Sequence, residues 1–514
     1  MRRIPFLVFF LALTLSLSAP LTPATSGKDH FLVVAGGHEA AKNQVSLEKN
    51  VLFFRKVLQK TAPDAELTEY FSSGNTDIRS VQFESANGDV PPANRYMAQL
   101  FASTRYLNLQ YRRHTLGEVD GITSPANLNR WFDGHKGKLE SGDRLILYVT
   151  AHGGRSADKK KPENTRIHLW QRQTFDVLGL QANLKKLPDD VAVILVMAQC
   201  YSGGFSHAIF NETNPDSGEF DQPVCGFFAT VSSRESAGCT ADINEENYDE
   251  FSSHFWAAIR GETRMGKRVG KRDFDGNGEI SFNEAYAYTI LTSKNIDIPM
   301  KTSGAFLRER SRFRDEKEKE KDAQLLTKHT PYSKTIQLAD PVEQAILEGL
   351  SKQLGLSGDS RYAIAEKNAA EIEKKRADLL SHFNDKKKIS DGHRSAIRDT
   401  LLGHWPELSN LLTEQSVSLV SEASNEFVKA VEGHPRFNAW NKIEKERQQI
   451  ADERFVLEKE WARYIRFLRA HNNVVLAENL RILGNDADLS RFQAIRLAES
   501  QGIELANAPT DLSQ

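Results

Sequence analysis

Cysteine is scarce in this chain. Only three are present among 514 residues, Cys200, Cys225 and Cys239, too few for a scaffold built on disulfides. An excess of one charge is also missing: 67 basic residues against 69 acidic ones leave a formal net charge of −2. Whole-molecule attraction to nucleic acid therefore has no support. Beyond the first residues, no apolar run is long enough to cross a bilayer, and no internal repeat is visible. What is present is a globular balance, 39% hydrophobic and 26% charged, over a length that exceeds one ordinary core and predicts two or more domains.

The start of the chain has its own character. Met1-Arg2-Arg3 precedes an apolar stretch from Ile4 to Leu17, followed by small residues and prolines through Ser26. This is the order of a secretory signal peptide, expected over 1–24 with cleavage near Ala24. The mature protein is then expected to be secreted or periplasmic, with no membrane contact after cleavage. In that compartment the odd thiol count matters. Cys225 and Cys239 bracket the apolar run 226–231 and stand either as a disulfide pair or as two reduced thiols. Either way Cys200 is left over.

Two apolar runs end in reactive side chains. Leu145 to Val149 leads into Thr150-Ala151-His152-Gly153-Gly154, and Val191 to Met197 leads into Ala198-Gln199-Cys200-Tyr201-Ser202-Gly203-Gly204. Continuous apolar runs closed by glycines read as buried strands of a parallel sheet, and sites in such sheets form at the carboxyl ends of the strands. His152 and Cys200 are thus expected to meet in one crevice as an imidazole acid/base and a thiol nucleophile. The amides of Gly153 and Cys200 are the expected oxyanion donors.

Strand and helix signals alternate around this pair. A first strand is read at 30–37, helices at 47–58, 92–111 and 126–131, a strand at 64–72, a helix at 169–186, a strand at 226–231 and a helix at 249–260. That alternation predicts an α/β fold, a mostly parallel sheet with helices on both faces, spanning 27–310. Composition then changes. Residues 308–322 (RERSRFRDEKEKEKD) are nearly all charged, and 311–340 reads as a charged linker. From 341 to 514 the pattern is helical, an all-α C-terminal domain. Ile443, Ile450, Leu457 and Tyr464 recur every seven residues, which predicts a long helix in a hairpin or bundle.

Residues 273–284 (DFDGNGEISFNE) fit a twelve-residue EF-hand loop. Asp273, Asp275 and Asn277 supply oxygens at positions 1, 3 and 5, Gly278 makes the turn, and Glu279 offers its carbonyl. Ser281 stands at position 9, and Glu284 closes the loop. Structural Ca2+ is the expected cofactor; an Asx-rich turn without metal is the other reading.

The segments 148–153, 197–203 and 228–236 together resemble the caspase-like superfamily of cysteine peptidases, and within it the legumain-like branch. The resemblance covers roughly residues 29 to 310. It implies a Cys200–His152 dyad with Gly153 in the oxyanion hole and Asn43 orienting His152. It also implies a substrate pocket near Ala198, Ser232 and Asp242, and a peptide or protein substrate. The chain departs from the branch in carrying Ala198 where legumains have an acidic pocket residue, and in lacking a clear Arg-His pair after Gly37. An asparagine preference is therefore not expected. Legumains also carry a helical C-terminal domain that restrains the enzyme, so the helical region here is expected to bind the catalytic domain or a partner protein, with 308–322 as a processing site. A non-catalytic caspase-like scaffold and a transpeptidase using the same dyad are the alternatives.

Overall fold

The computed structural model describes residues 27–85, 88–314, 324–483 and 485–503. The expected signal peptide and the centre of the charged run lie outside them. Among the described residues there are ten strands: β1 (Asp29–Gly36), β2 (Glu66–Phe71), β3 (Val81–Glu84), β4 (Leu109–Arg112), β5 (Arg144–Gly154), β6 (Arg166–Leu169), β7 (Gln173–Asp176), β8 (Ala192–Met197), β9 (Val224–Phe228) and β10 (Met300–Lys301). Between the strands run α1 (Val45–Thr61), α2 (Pro92–Phe101), α3 (Pro125–His135), α4 (Val177–Leu184), α5 (Phe251–Arg260) and α6 (Phe282–Thr292). After them come α7 (Thr302–Arg310), α8 (Tyr332–Leu338), α9 (Pro341–Leu354), α10 (Arg361–His404), α11 (Glu414–Ser418), α12 (Ser424–Glu432), α13 (Phe437–Leu483) and α14 (Asp486–Glu499).

The fold is α/β. The main sheet runs β10-β9-β8-β5-β1-β2, parallel except for β10, and β6 and β7 extend it from the end of β5. From β1 the chain crosses outward to β2 through α1. It then returns past β1 to β5 through α3, and on to β8 through α4. Right-handed crossovers in opposite directions put α1 on one face and α3 and α4 on the other. The rings of Phe54 of α1, Tyr148 of β5 and Trp256 of α5 pack edge-on or tilted with centres 4.6 to 5.1 Å apart, so α5 joins α1. Leu145 to Val149 and Val193 to Met197 are almost wholly buried, because both faces of a central parallel strand are covered.

Two sequence expectations change here, and one open alternative closes. The helix read over 169–186 is α only at Val177–Leu184, and β6 and β7 precede it as an antiparallel hairpin. The helix read over 92–111 stops at Phe101, and Leu109–Arg112 pairs with β3. The three cysteines are free thiols, Cys225 buried in β9 and Cys239 exposed, so of the two readings kept open for Cys225 and Cys239 the structure has the reduced one.

The C-terminal helices share the core of the sheet domain. Phe306 of α7 stacks on Phe492 of α14, and the same cluster takes in Leu347, Phe467 and Leu480. The described end of the charged linker is anchored too, through buried Leu325 and Leu326 and through α8. α10 and α13 form a long antiparallel hairpin whose tip, with α12, closes a second core on Ala93, Met97 and Leu100 of α2. No helix among the described residues is long and apolar enough to cross a membrane.

Candidate active site

Cys200 and His152 lie just past the ladder that joins two adjacent strands. Val149 of β5 pairs with Met197 of β8, and each reactive residue lies three positions beyond its member of that pair. The Ala198 amide donates to the Val149 carbonyl at 2.9 Å, carrying the pairing one step further. Gly153 then packs against the nucleophile's own backbone: a Cβ there would fall 1.9 Å from the Cys200 carbonyl oxygen. Only glycine allows that approach. Beyond Cys200 the chain turns sharply, with Tyr201 in the left-handed region at φ 59°. The turn is pinned by the Tyr201 amide on the Arg234 carbonyl and by the Thr165 hydroxyl on the Tyr201 carbonyl. Among the described residues, the Cys200 amide meets no protein acceptor, which leaves it available as a donor.

His152 is oriented from the loop after β1. Its Nε2 lies 2.8 Å from the Lys42 carbonyl and 2.9 Å from Gln44 Oε1. A carbonyl can only accept, so Nε2 carries the proton in the neutral ring and Nδ1 holds the free lone pair. Asn43, expected to orient the ring, does so only indirectly. It is buried, its Oδ1 accepts from the Gly37 amide at 2.8 Å, and its two neighbours make the contacts with His152. Burial, reinforced by His38, pulls the His152 pKa down to about 4.

The thiol has a different neighbour from the expected one. Cys200 Sγ accepts from the Ser236 amide at 3.3 Å and lies 3.8 Å from the Ser236 hydroxyl. Among the described residues it makes no hydrogen bond to His152. Burial pushes the thiol pKa up, against the pull of the Ser236 contacts. Thiol and imidazole are therefore both neutral near pH 7. Such a resting pair needs the proton to move as attack occurs.

The expected pocket residues separate. Ala198 is half-buried beside the thiol, and its carbonyl accepts from the Ser236 hydroxyl at 3.0 Å. Ser232 lies further along the same loop, donating to Glu163 at 3.0 Å. Asp242 is taken up by its own loop, where it accepts from the Asn244 amide and from Asn247 Nδ2. Two histidines absent from the sequence reading are present instead. His38, after β1, lies 5.6 Å from His152 and 5.2 Å from His168, ring centre to ring centre, and His168 is cross-strand from His152. Burial lowers His38 and takes His168 to about 4. No motif marked either one, because the protruding end of β5 and its pairing with β6 bring them in.

The EF-hand-like loop folds with Gly276 and Gly278 at positive φ. Asp273, Asp275 and Glu284 bring carboxylate oxygens within 4.8 Å of one another. Asp273 accepts from the Gly276 and Gly278 amides. Asn277 Oδ1 accepts from the Glu279 amide. Ser281 and Glu284 form the capping box of α6. An all-oxygen set with converging negative charge suits a hard divalent cation.

The helical hairpin touches the site loop directly. Arg234 pairs with Glu458 of α13 at 2.6 Å and lies over Trp461 at 4.8 Å. Arg376 of α10 reaches the same two residues. At its N-terminal end α13 meets α2, with Phe437 against Tyr96. Phe437 and Trp461 are 24 residues apart, about 36 Å of helix. One helix thus links α2 and the loop after β9 like a bar.

No protein-family model matches the chain, and no curated protein is similar to it. Among solved structures, protein GSU0716 from Geobacter sulfurreducens is similar over 53% of this chain and 92% of its own length, at 11% identity and a TM-score of 0.30. That likeness is too slight to carry fold or function across. The class defined by fold and site is an α/β protein with a Cys–His pair at adjacent strand ends.

Proposed function

We propose that the chain is an exported cysteine endopeptidase of the legumain-like branch. What supports this most is that His152 and Cys200 lie just past the ladder joining two adjacent strands, with Gly153 pressed on the Cys200 carbonyl. His152 Nδ1 takes the thiol proton as Cys200 Sγ bonds to the scissile carbonyl carbon. The oxygen gains the negative charge beside the Cys200 and Gly153 amides. Collapse breaks the C–N bond, the imidazolium returns the proton to the leaving amine, and water hydrolyses the thioester. Asp273, Asp275, Asn277, Glu279, Ser281 and Glu284 would hold Ca2+, which supplies structural cross-linking of the loop. The α13 bar would restrain access by holding Arg234.

A non-catalytic scaffold is the second reading. It draws on the Ser236 contacts to Sγ and on the absence of a His152–Cys200 bond among the described residues.

Mass spectrometry after exposure of the full chain, with and without Ca2+, to acyloxymethyl ketones bearing Arg, Lys, Asn or Asp separates the two readings. The peptidase reading expects a Cys200 adduct that is lost in His152→Ala. Absence of any adduct under every condition would sink the peptidase and leave the scaffold.

A further inference from the structure

An open cavity of about 270 Å³ lies one turn beyond the nucleophile. Gly203, three residues after Cys200, forms part of its wall, with Val231 and Ser232 from the loop after β9. Gly203 is confined there: a Cβ would lie 2.6 Å from Met300 Sδ and 2.7 Å from the Ser232 amide. Two arginines also line it, Arg308 from α7 and Arg469 from α13.

Neither arginine has a carboxylate in direct contact among the described residues. Arg308 donates to the Gly304 carbonyl within its own helix. Arg469 has no hydrogen-bond or ion-pair partner among the described residues. Two acids share the cavity, but both are engaged: Glu163 and Glu309 flank His207 at 3.5 Å each. Both guanidiniums also border a second, nearly closed cavity of about 20 Å³, space for about one water. They are half-buried, and burial together with the neighbouring Arg469 brings Arg308 down to about 9. Glu343 lines the smaller cavity as well, but no carboxylate pairs directly with either guanidinium among the described residues, and half-buried charges without a direct partner are costly.

We propose that Arg308 and Arg469 form a subsite for the carboxylate of an acidic residue in the peptide that reacts at Cys200. The fork of an arginine suits a carboxylate in bidentate fashion. The wall shared with the Cys200 turn places the bound acid a few residues from the scissile bond. The inference rests on the peptidase reading for the identity of the ligand. It adds that the helical region supplies part of the substrate site, since Arg469 belongs to α13.

The test measures binding without turnover. Full-length Cys200→Ala protein is titrated, by fluorescence anisotropy, into a fluorescein-labelled octapeptide pool with one Glu among neutral residues, and into the same pool with Gln in place of Glu. The expected result is binding of the Glu pool about tenfold tighter, with the preference abolished by Arg469→Gln and by Arg308→Gln and reduced by Arg469→Lys. The lysine variant keeps the charge and the helix, so a folding defect in the glutamine variants does not remove the test. Equal binding of the two pools would overturn the subsite. So would a Glu preference indifferent to every arginine variant, or free glutarate binding as tightly as the Glu pool, which would make this a small-anion site. If wild-type protein gives no ketone adduct while the arginine-dependent Glu preference remains, the peptidase reading fails and the acid site stands.

Discussion

At Cys200 the local contacts set the pH behaviour. His152 is depressed to about 4 by burial and by His38, so its Nδ1 is a free base through the neutral range. The expected kcat/KM profile for peptide cleavage has an acid limb with an apparent pKa of about 4, where an ordinary histidine would put it near 6.5. A limb near 6.5 would show that the ring is solvated in solution. The same shift has a consequence for stability. The unfolded chain binds a proton on this histidine at higher pH than the folded chain does. Stability therefore falls as pH drops from the ordinary value toward about 4. His168 and His471, also lowered to about 4 by burial, act in the same window. Melting temperature against pH reads the sum.

Among the elements, β5 does two jobs. Its first eight residues are a buried central strand, and its last three leave the sheet to pair with β6. The misread helix at 169–186 follows from this, since the hairpin β6–β7 forms by pairing with the projecting end of β5 rather than from a helical pattern of its own. The EF-hand-like loop is the element whose ligand is most readily tested. If it holds calcium, the ion stabilises the folded state by about 2.7 kcal/mol at a hundredfold excess over its dissociation constant. Thermal melts with and without Ca2+ should show a rise in melting temperature that is lost in Asp275→Ala, a change at an exposed position outside the α6 capping box. No rise in the wild type would make the loop a plain Asx-rich turn.

For the whole molecule, α13 is the joining piece. Arg466, 2% exposed, donates to the carbonyls of Ile290, Ser293, Asn295 and Asp297 and to the side chains of Ser293 and Asn295. The loop it grips also holds the site, because Asp297 Oδ1 accepts from the Ala237 amide, next to Ser236 on the thiol. Arg466→Leu leaves those acceptors unpaired and should cost about 3–5 kcal/mol. The first urea transition should move to lower denaturant, and Cys200 alkylation by a ketone probe should change with it. An unchanged transition would mean that the helical region docks without this contact.

The strands carrying His152 and Cys200, the α/β class, the glycine turns and the loop at 273–284 were all readable from residue order. Each depends on short-range rules: apolar runs bounded by glycine, and oxygen donors at fixed spacing. The heptad row likewise announced a long hairpin helix, which α13 is. Tertiary structure alone decided the surroundings of the pair. Ser236 reaches the thiol, Lys42 and Gln44 reach the imidazole, and His38 and His168 collect nearby, all through contacts between segments distant in the chain. It also decided that the helices share one core with the sheet and lay Arg469 beside Arg308. Periodicity tells a helix which face to bury, but the surface that covers that face depends on the packing of the entire chain.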